Sequence, residues 1–128
     1  MKSSATPKLR ILLADDHFVV RLGLADLLST EPGFEVVGEA ADGEEAHQFF
    51  IELRPDVVVM DFEMPKLDGP QAVAAILRED PAACILMLTV SQAEESVWRS
   101  IEAGASGYVL KSSPREEIIA AVRIVGTG

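Results

Sequence analysis

The stretch Asp56-Val57-Val58-Val59-Met60-Asp61-Phe62-Glu63-Met64-Pro65-Lys66-Leu67-Asp68-Gly69 decides how the rest of the chain is read. Val57 to Met60 is an unbroken apolar run, too short for a stable helix and rich in β-branched side chains, which marks a strand buried on both faces. The run ends on a carboxylate, Asp61, and Pro65 with the Leu67-Asp68-Gly69-Pro70 cluster then carries the chain out of the sheet in a loop. Such loops, at the C-terminal ends of strands, are where open α/β sheets keep their chemistry.

Working outward, residues 1–7 read as a flexible leader and residues 8–128 as one domain. Leu9 to Ala14 is a first strand that stops at Asp15-Asp16-His17. Phe18 to Thr30 is a helix with Val20, Leu24, Leu27 and Leu28 inward, closed by Glu31-Pro32-Gly33. Phe34 to Ala40 alternates enough to be a second strand at or near an edge. Asp42-Gly43-Glu44-Glu45 resembles a capping box for a second helix, with Ala46, Phe49, Phe50 and Leu53 as its apolar stripe and Arg54-Pro55 as its end.

Beyond the opening stretch, Pro70 suits the first position of a third helix with Val73, Ile76 and Leu77 buried, stopped by Asp80-Pro81. Ala83 to Leu88 is a fourth strand, followed by Thr89. Ser91-Gln92-Ala93-Glu94 forms a capping box for a helix to about Ala103, with Val97 and Ile101 inward and Gly104 as its stop. Gly107 to Leu110 is a short fifth strand ending at Lys111, and Ser113-Pro114-Arg115-Glu116 opens a last helix through about Val125. Five strands alternating with five helices demand a mainly parallel sheet with right-handed crossovers and helices on both faces. The expected fold is a flavodoxin-like (βα)5 sandwich with strand order 2-1-3-4-5.

Composition narrows the function. At 128 residues with 48% hydrophobic content, the chain is long enough to bury a core without staples. Its apolar runs are much shorter than a membrane span, its amino terminus lacks an apolar signal core, and a lone Cys84 forms no internal disulfide, so a cytoplasmic location and an inert core thiol are expected. A net charge of −10 argues against this chain binding nucleic acid by itself, because phosphate backbones require clustered Lys and Arg.

Strands one, three and five end in Asp15-Asp16, Asp61 and Lys111, and strand four adds Thr89. In order 2-1-3-4-5 these ends converge on one mouth of the sheet. Converging carboxylates repel one another, and a hard divalent cation, Mg²⁺ above all, relieves that repulsion. A lysine and a hydroxyl opposite suit a phosphoryl group, which makes Asp61 the candidate nucleophile.

These residues, in this order and at this spacing, resemble the receiver domain of bacterial two-component response regulators over nearly the whole chain. The Asp15-Asp16-His17 start and the Gly104-Ala105-Ser106-Gly107-Tyr108-Val109-Leu110-Lys111-Ser112-Ser113-Pro114 run are similar to the subclass usually fused to a LuxR-type helix-turn-helix. The resemblance implies that Asp61 accepts phosphate from a sensor histidine kinase, with Asp15 and Asp16 holding Mg²⁺ and the main-chain carbonyl of Glu63 completing the protein ligands. It also implies that Thr89 swings toward the phosphoryl group, Lys111 pairs with it, and Tyr108 rotates inward as a switch aromatic. A phosphoacceptor with Mg²⁺-dependent self-phosphorylation and self-dephosphorylation is implied rather than a turnover enzyme. DNA would be reached only through a domain outside this chain, and no membrane is involved.

Two other function classes compete. Haloacid-dehalogenase-type phosphatases also combine Asp, Mg²⁺, Thr and Lys, but they carry the nucleophile after the first strand and a second Asp two residues later, where this chain has Glu63. A receiver-like module that is never phosphorylated is the third class, and the intact constellation argues against it. Val90 is bulkier than the Ala or Gly common in the family and is expected at the pocket rim. His17 reads as a solvated loop imidazole and His47 as a surface residue, since Mg²⁺ prefers oxygen. Trp98 lies off the inward line of its helix, with part of its ring exposed. The apolar breadth of the last helix, including Ile118, Ile119, Val122, Ile124 and Val125, exceeds one buried stripe and points to a homodimer or a missing neighbour.

Overall fold

All five residues of the central strand are buried, which requires cover on both faces of the sheet. A computed structural model describes residues 7–90 and 94–127. Its elements are β1 (Leu9–Ala14), α1 (Phe18–Ser29), β2 (Phe34–Ala40), α2 (Gly43–Leu53), β3 (Val57–Asp61), α3 (Gly69–Glu79), β4 (Ile85–Thr89), α4 (Glu94–Ala103), β5 (Gly107–Leu110) and α5 (Arg115–Thr127). The five strands form one parallel sheet in the order β2-β1-β3-β4-β5, as expected, with β2 on an edge.

Side chains alternate between two cores. Ile11, Leu13, Val57, Val59, Leu86 and Leu88 face one layer with Leu24 and Leu28 of α1 and Ile118 and Val122 of α5. Leu12, Val58, Met60, Ile85 and Met87 face the other with Phe50 of α2 and Val73 and Ile76 of α3. Each such fully buried side chain contributes about 1.5–3 kcal/mol from its removal from water. The register levels the strand ends: Met60 lies opposite Ala14 and Met87, Asp61 opposite Leu88, and Thr89 opposite Leu110. Asp15, Asp61, Thr89 and Lys111 therefore leave the sheet along one rim.

Helix starts follow their side chains. Asp42 accepts a hydrogen bond from the Glu45 amide, while Glu45 reaches back to the Ala41 amide, one residue short of a reciprocal capping box. Asp68 and Gln71 complete that reciprocal pair at α3, a box the sequence reading did not name. The box expected at Ser91-Gln92-Ala93-Glu94 falls on residues 91–93, outside those described. Gly104 ends α4 with φ +102°, a conformation costly for any side chain, and a Cβ there would meet Leu77 at 2.5 Å.

Several expected positions are corrected. Val20 is exposed with Phe18 and Val19, because the first turn of α1 rises beyond the strand ends and burial in the helix begins only at Leu24. Ile101 faces solvent rather than the core: α4 buries Ser100, with Val97 and Ala103 partly covered, so its inner line follows steps of three residues and centres on a small polar side chain. Cys84 precedes β4 and is only partly covered, with Sγ near the Ala82 carbonyl, so it is not a core thiol. β4 itself runs Ile85–Thr89, two residues later at its start than expected and with Thr89 inside it. His47 is partly buried and faces Glu79 across the α2–α3 seam at 3.4 Å. Trp98 is exposed, as expected, and so is Ile124, one of the apolar residues of the last helix in excess of a single buried stripe.

Candidate functional site

β1 delivers Asp15 to the rim and the neighbouring chain locks it there. Its amide donates to the Ala40 carbonyl, and its own carbonyl accepts from Arg21 Nη1 at 2.7 Å. The Asp15 side chain is sealed from solvent, whereas Asp16 points outward with its side chain 30% exposed. β3 delivers Asp61, also buried, and the next residue is tied down when the Phe62 amide donates to Leu88 and the Phe62 carbonyl accepts from Gly69. Gly69 is required by this approach: a Cβ there would lie 2.6 Å from the Asp61 carbonyl oxygen and 2.9 Å from Phe62 Cα.

Lys111 joins the two buried carboxylates. Its Nζ lies 2.7 Å from Asp15 Oδ2, an ion pair outside regular hydrogen-bond angles, and 3.2 Å from Asp61 Oδ1. The Lys111 amide donates to the Thr89 carbonyl, which fixes the lysine beside the buried threonine. Burial pushes the Lys111 ammonium toward neutrality, but its pairing with Asp15 and Asp61 outweighs this and raises its pKa above 10.5. Asp61 is pushed up from 3.8 to about 6, first by burial and then by the Asp15 charge; Lys111 and the Glu63 amide, which donates to it, oppose the shift.

His17 is closer to this chemistry than a solvated imidazole need be. Its amide donates to Asp15 Oδ1 at 2.9 Å, and its ring Nδ1 lies 3.3 Å from Asp15 Oδ1 and 3.2 Å from Asp16 Oδ1, although the side chain is 66% exposed. Donor atoms of Asp15, Asp16, His17 and Asp61 all fall within 4.8 Å of one another. Three carboxylates against one lysine leave an excess of negative charge, and the buried Asp15 Oδ2 has no regular hydrogen bond. Both features fit a divalent cation held mainly by oxygen.

A shallow cavity of about 160 Å³ opens over Asp61, lined by His17, Phe62, Glu63, Thr89, Val90 and Lys111. Val90 is at its rim, as expected, and is exposed. Tyr108 is not in this cavity. It is about half-exposed on the outer side of β5. The structure thus gathers Asp15, Asp16, Asp61, Thr89 and Lys111 at one mouth and leaves Tyr108 outside it. The sequence reading missed His17 as a member of the cluster and Gly69 as the backbone contact beneath Asp61. The first carried a signal, since it directly follows two aspartates, but an oxygen-preferring ion argued it away.

Among known proteins, the Bacillus subtilis transcriptional regulatory protein LiaR is 44% identical over 94% of this chain, which spans 57% of LiaR's length. The receiver domain of the response regulator NarL from Mycobacterium tuberculosis has the same fold with a TM-score of 0.92 and 34% identity, over 96% of this chain and 99% of that one. A LuxR-family two-component response regulator from Aurantimonas superposes with a TM-score of 0.90 and 43% identity, over 94% of this chain and 86% of that one. No helix among the described residues is long and apolar enough to cross a membrane. With the family description "Response regulator receiver domain" matching residues 11–123, and with the rim residues arranged as above, the chain belongs to the response regulator receiver domain family.

Proposed function

We propose that Asp61 accepts a phosphoryl group from the phosphohistidine of a sensor histidine kinase, and that residues 8–128 are the switch of a longer transcription regulator whose DNA-binding part lies outside this chain. The observation that carries this reading is the Asp15–Lys111–Asp61 arrangement, a buried carboxylate held beside a second carboxylate and a single ammonium. The 57% share of LiaR that the chain spans supports the second half of the proposal.

The pKa of Asp61, near 6, is well above that of an ordinary carboxylate yet below neutrality, so at pH 7 the ionised nucleophile prevails. In the transfer, an Asp61 oxygen forms the new O–P bond as the P–N bond of phosphohistidine breaks and its electron pair returns to the imidazole ring. Lys111, 3.2 Å from Asp61 Oδ1, follows the charge onto the phosphoryl oxygens. The Thr89 hydroxyl, on the adjacent strand end, donates a hydrogen bond to the same group. Asp15, Asp16 and Asp61, with the Glu63 main-chain carbonyl, would hold a Mg²⁺ ion that offsets repulsion between Asp61 and an incoming phosphoryl dianion.

Tyr108, three residues before Lys111 and exposed on β5, turns inward when Thr89 moves, and the α4–β5–α5 surface changes with it. Such a switch is a shift between two states biased by one covalent charge, which requires a few kcal/mol of difference. Val90 and Glu63 line the cavity where water must enter for self-dephosphorylation, and Val90 narrows that entry. Val90→Ala is expected to take up acetyl phosphate faster and to lose the phosphoryl group faster, and equal rates would remove this role.

The direct test is incubation with acetyl phosphate and Mg²⁺ followed by intact mass. One phosphoryl group per chain, dependent on the metal and absent in Asp61→Asn, is the expected result. Turnover of a phosphoester would favour a phosphatase, and no adduct even from a matched kinase would favour an unphosphorylated module.

A further inference from the structure

Resting on the cation reading of this same pocket, we propose that His17 Nδ1 is a further protein donor to the bound ion, and that it tilts the site toward nitrogen-accepting divalent ions such as Ni²⁺, Co²⁺ and Zn²⁺ relative to an all-oxygen site. The spacing carries the argument. In an octahedron with bonds of about 2.1 Å, neighbouring donors are about 3.0 Å apart and opposite ones about 4.2 Å. Nδ1 lies 3.2 Å from Asp16 Oδ1 and 3.3 Å from Asp15 Oδ1, close to the neighbour distance for both. All four donors, Asp61 included, lie within 4.8 Å of one another, so one ion can touch them with small movements.

His17 is held by its amide, while its ring Nδ1 lies within hydrogen-bond reach of Asp15 Oδ1 at 3.3 Å, a contact that ion binding would replace. His17 is the N-cap residue of α1 but its side chain makes no cap hydrogen bond, and its amide is anchored to Asp15 Oδ1 at 2.9 Å. The imidazole is therefore free of a helix-capping duty while its residue is pinned against a fully buried metal-facing carboxylate. With the side chain 66% exposed, the ring has room to turn its lone pair to the ion without disturbing the core. Imidazole suits ions late in the first transition row, whereas Mg²⁺ gains little from a nitrogen ligand. The outcome is a site whose occupant depends on the metals available as well as on its carboxylates.

The test is calorimetric titration of the whole chain with Mg²⁺ alone and with Ni²⁺ alone, for the wild type, His17→Ala and His47→Ala. His17→Ala is expected to weaken Ni²⁺ by about tenfold or more while Mg²⁺ stays within about twofold. His47→Ala, on the far seam against Glu79, controls for a second imidazole and is expected to change neither. Proton NMR of the Co²⁺-loaded chain adds a direct readout: a far-shifted, carbon-bound imidazole ring proton in the wild type, lost in His17→Ala. Equal loss of Mg²⁺ and Ni²⁺ affinity, no loss of either, or no such proton in the Co²⁺ form would overturn His17 as a ligand. Failure of the wild type to bind Mg²⁺ at all would instead overturn the cation reading beneath it.

Discussion

The sheet mouth and the α4–β5 shelf sit side by side and are built in opposite ways. At the mouth, Asp15, Asp61 and Thr89 are polar and buried, on strand ends whose apolar neighbours are completely covered. On the shelf, Trp98, Ile101 and Tyr108 are large, apolar or aromatic, and exposed. The mouth thus holds charge where burial is costly, and the shelf shows apolar surface where water meets it.

The two regions differ most visibly in stability. Leu88→Ala, directly beneath the rim, is expected to cost about 3–4 kcal/mol in urea unfolding through the cavity it leaves. A cost close to that of a shelf variant would mean the mouth is not rigidly underpinned. Lys111→Met leaves Asp15 and Asp61 facing each other without their shared cation, and a loss of about 3 kcal/mol at neutral pH is expected. Much of that loss should return on acidification, because the variant's Asp61 has a pKa raised further above 6 and takes up a proton.

Asp61→Asn moves in the opposite direction. The folded-state pKa of Asp61 is about 6 against 3.8 when exposed, so the folded state binds the proton more tightly. Its contribution to stability is therefore full below pH 3.8 and is lost as pH rises through 6. In metal-free buffer at pH 7 the asparagine variant should be more stable by about 2 kcal/mol, with the difference closing below pH 4. A destabilised asparagine variant would show that the charge is welcomed by its surroundings. The smallest effects belong to the shelf: Trp98→Ala and Ile101→Ala are each expected to change stability by less than about 0.5 kcal/mol. A larger cost would place them in a packed interface.

The difference between the two regions also explains what the amino-acid order disclosed. Strand order and the mouth were legible because Val57 to Met60 is apolar without interruption and because Asp15, Asp61, Thr89 and Lys111 stand where strands end, so topology alone brings them together. α4 was misread because its buried line runs through Ser100, a polar residue, and a hydrophobic count chose Ile101 instead. α1 was misread at Val20 for a related reason: apolar spacing says which residues share a face, but not how far the sheet extends beneath it. His17 was discounted by residue type, since no periodicity reports that a ring nitrogen four bonds from a pinned amide nitrogen turns onto two carboxylates.

Asp61, and not one of its acidic neighbours, is the proposed carrier of the phosphoryl group. Borohydride reduction of the acetyl phosphate-treated chain, followed by peptide mapping, reads the modified position directly, because an acyl phosphate is reduced to the alcohol while a free carboxylate is untouched. Homoserine at position 61 alone is the predicted result. Homoserine at Asp15 or Asp16, or an adduct that resists reduction, would contradict it.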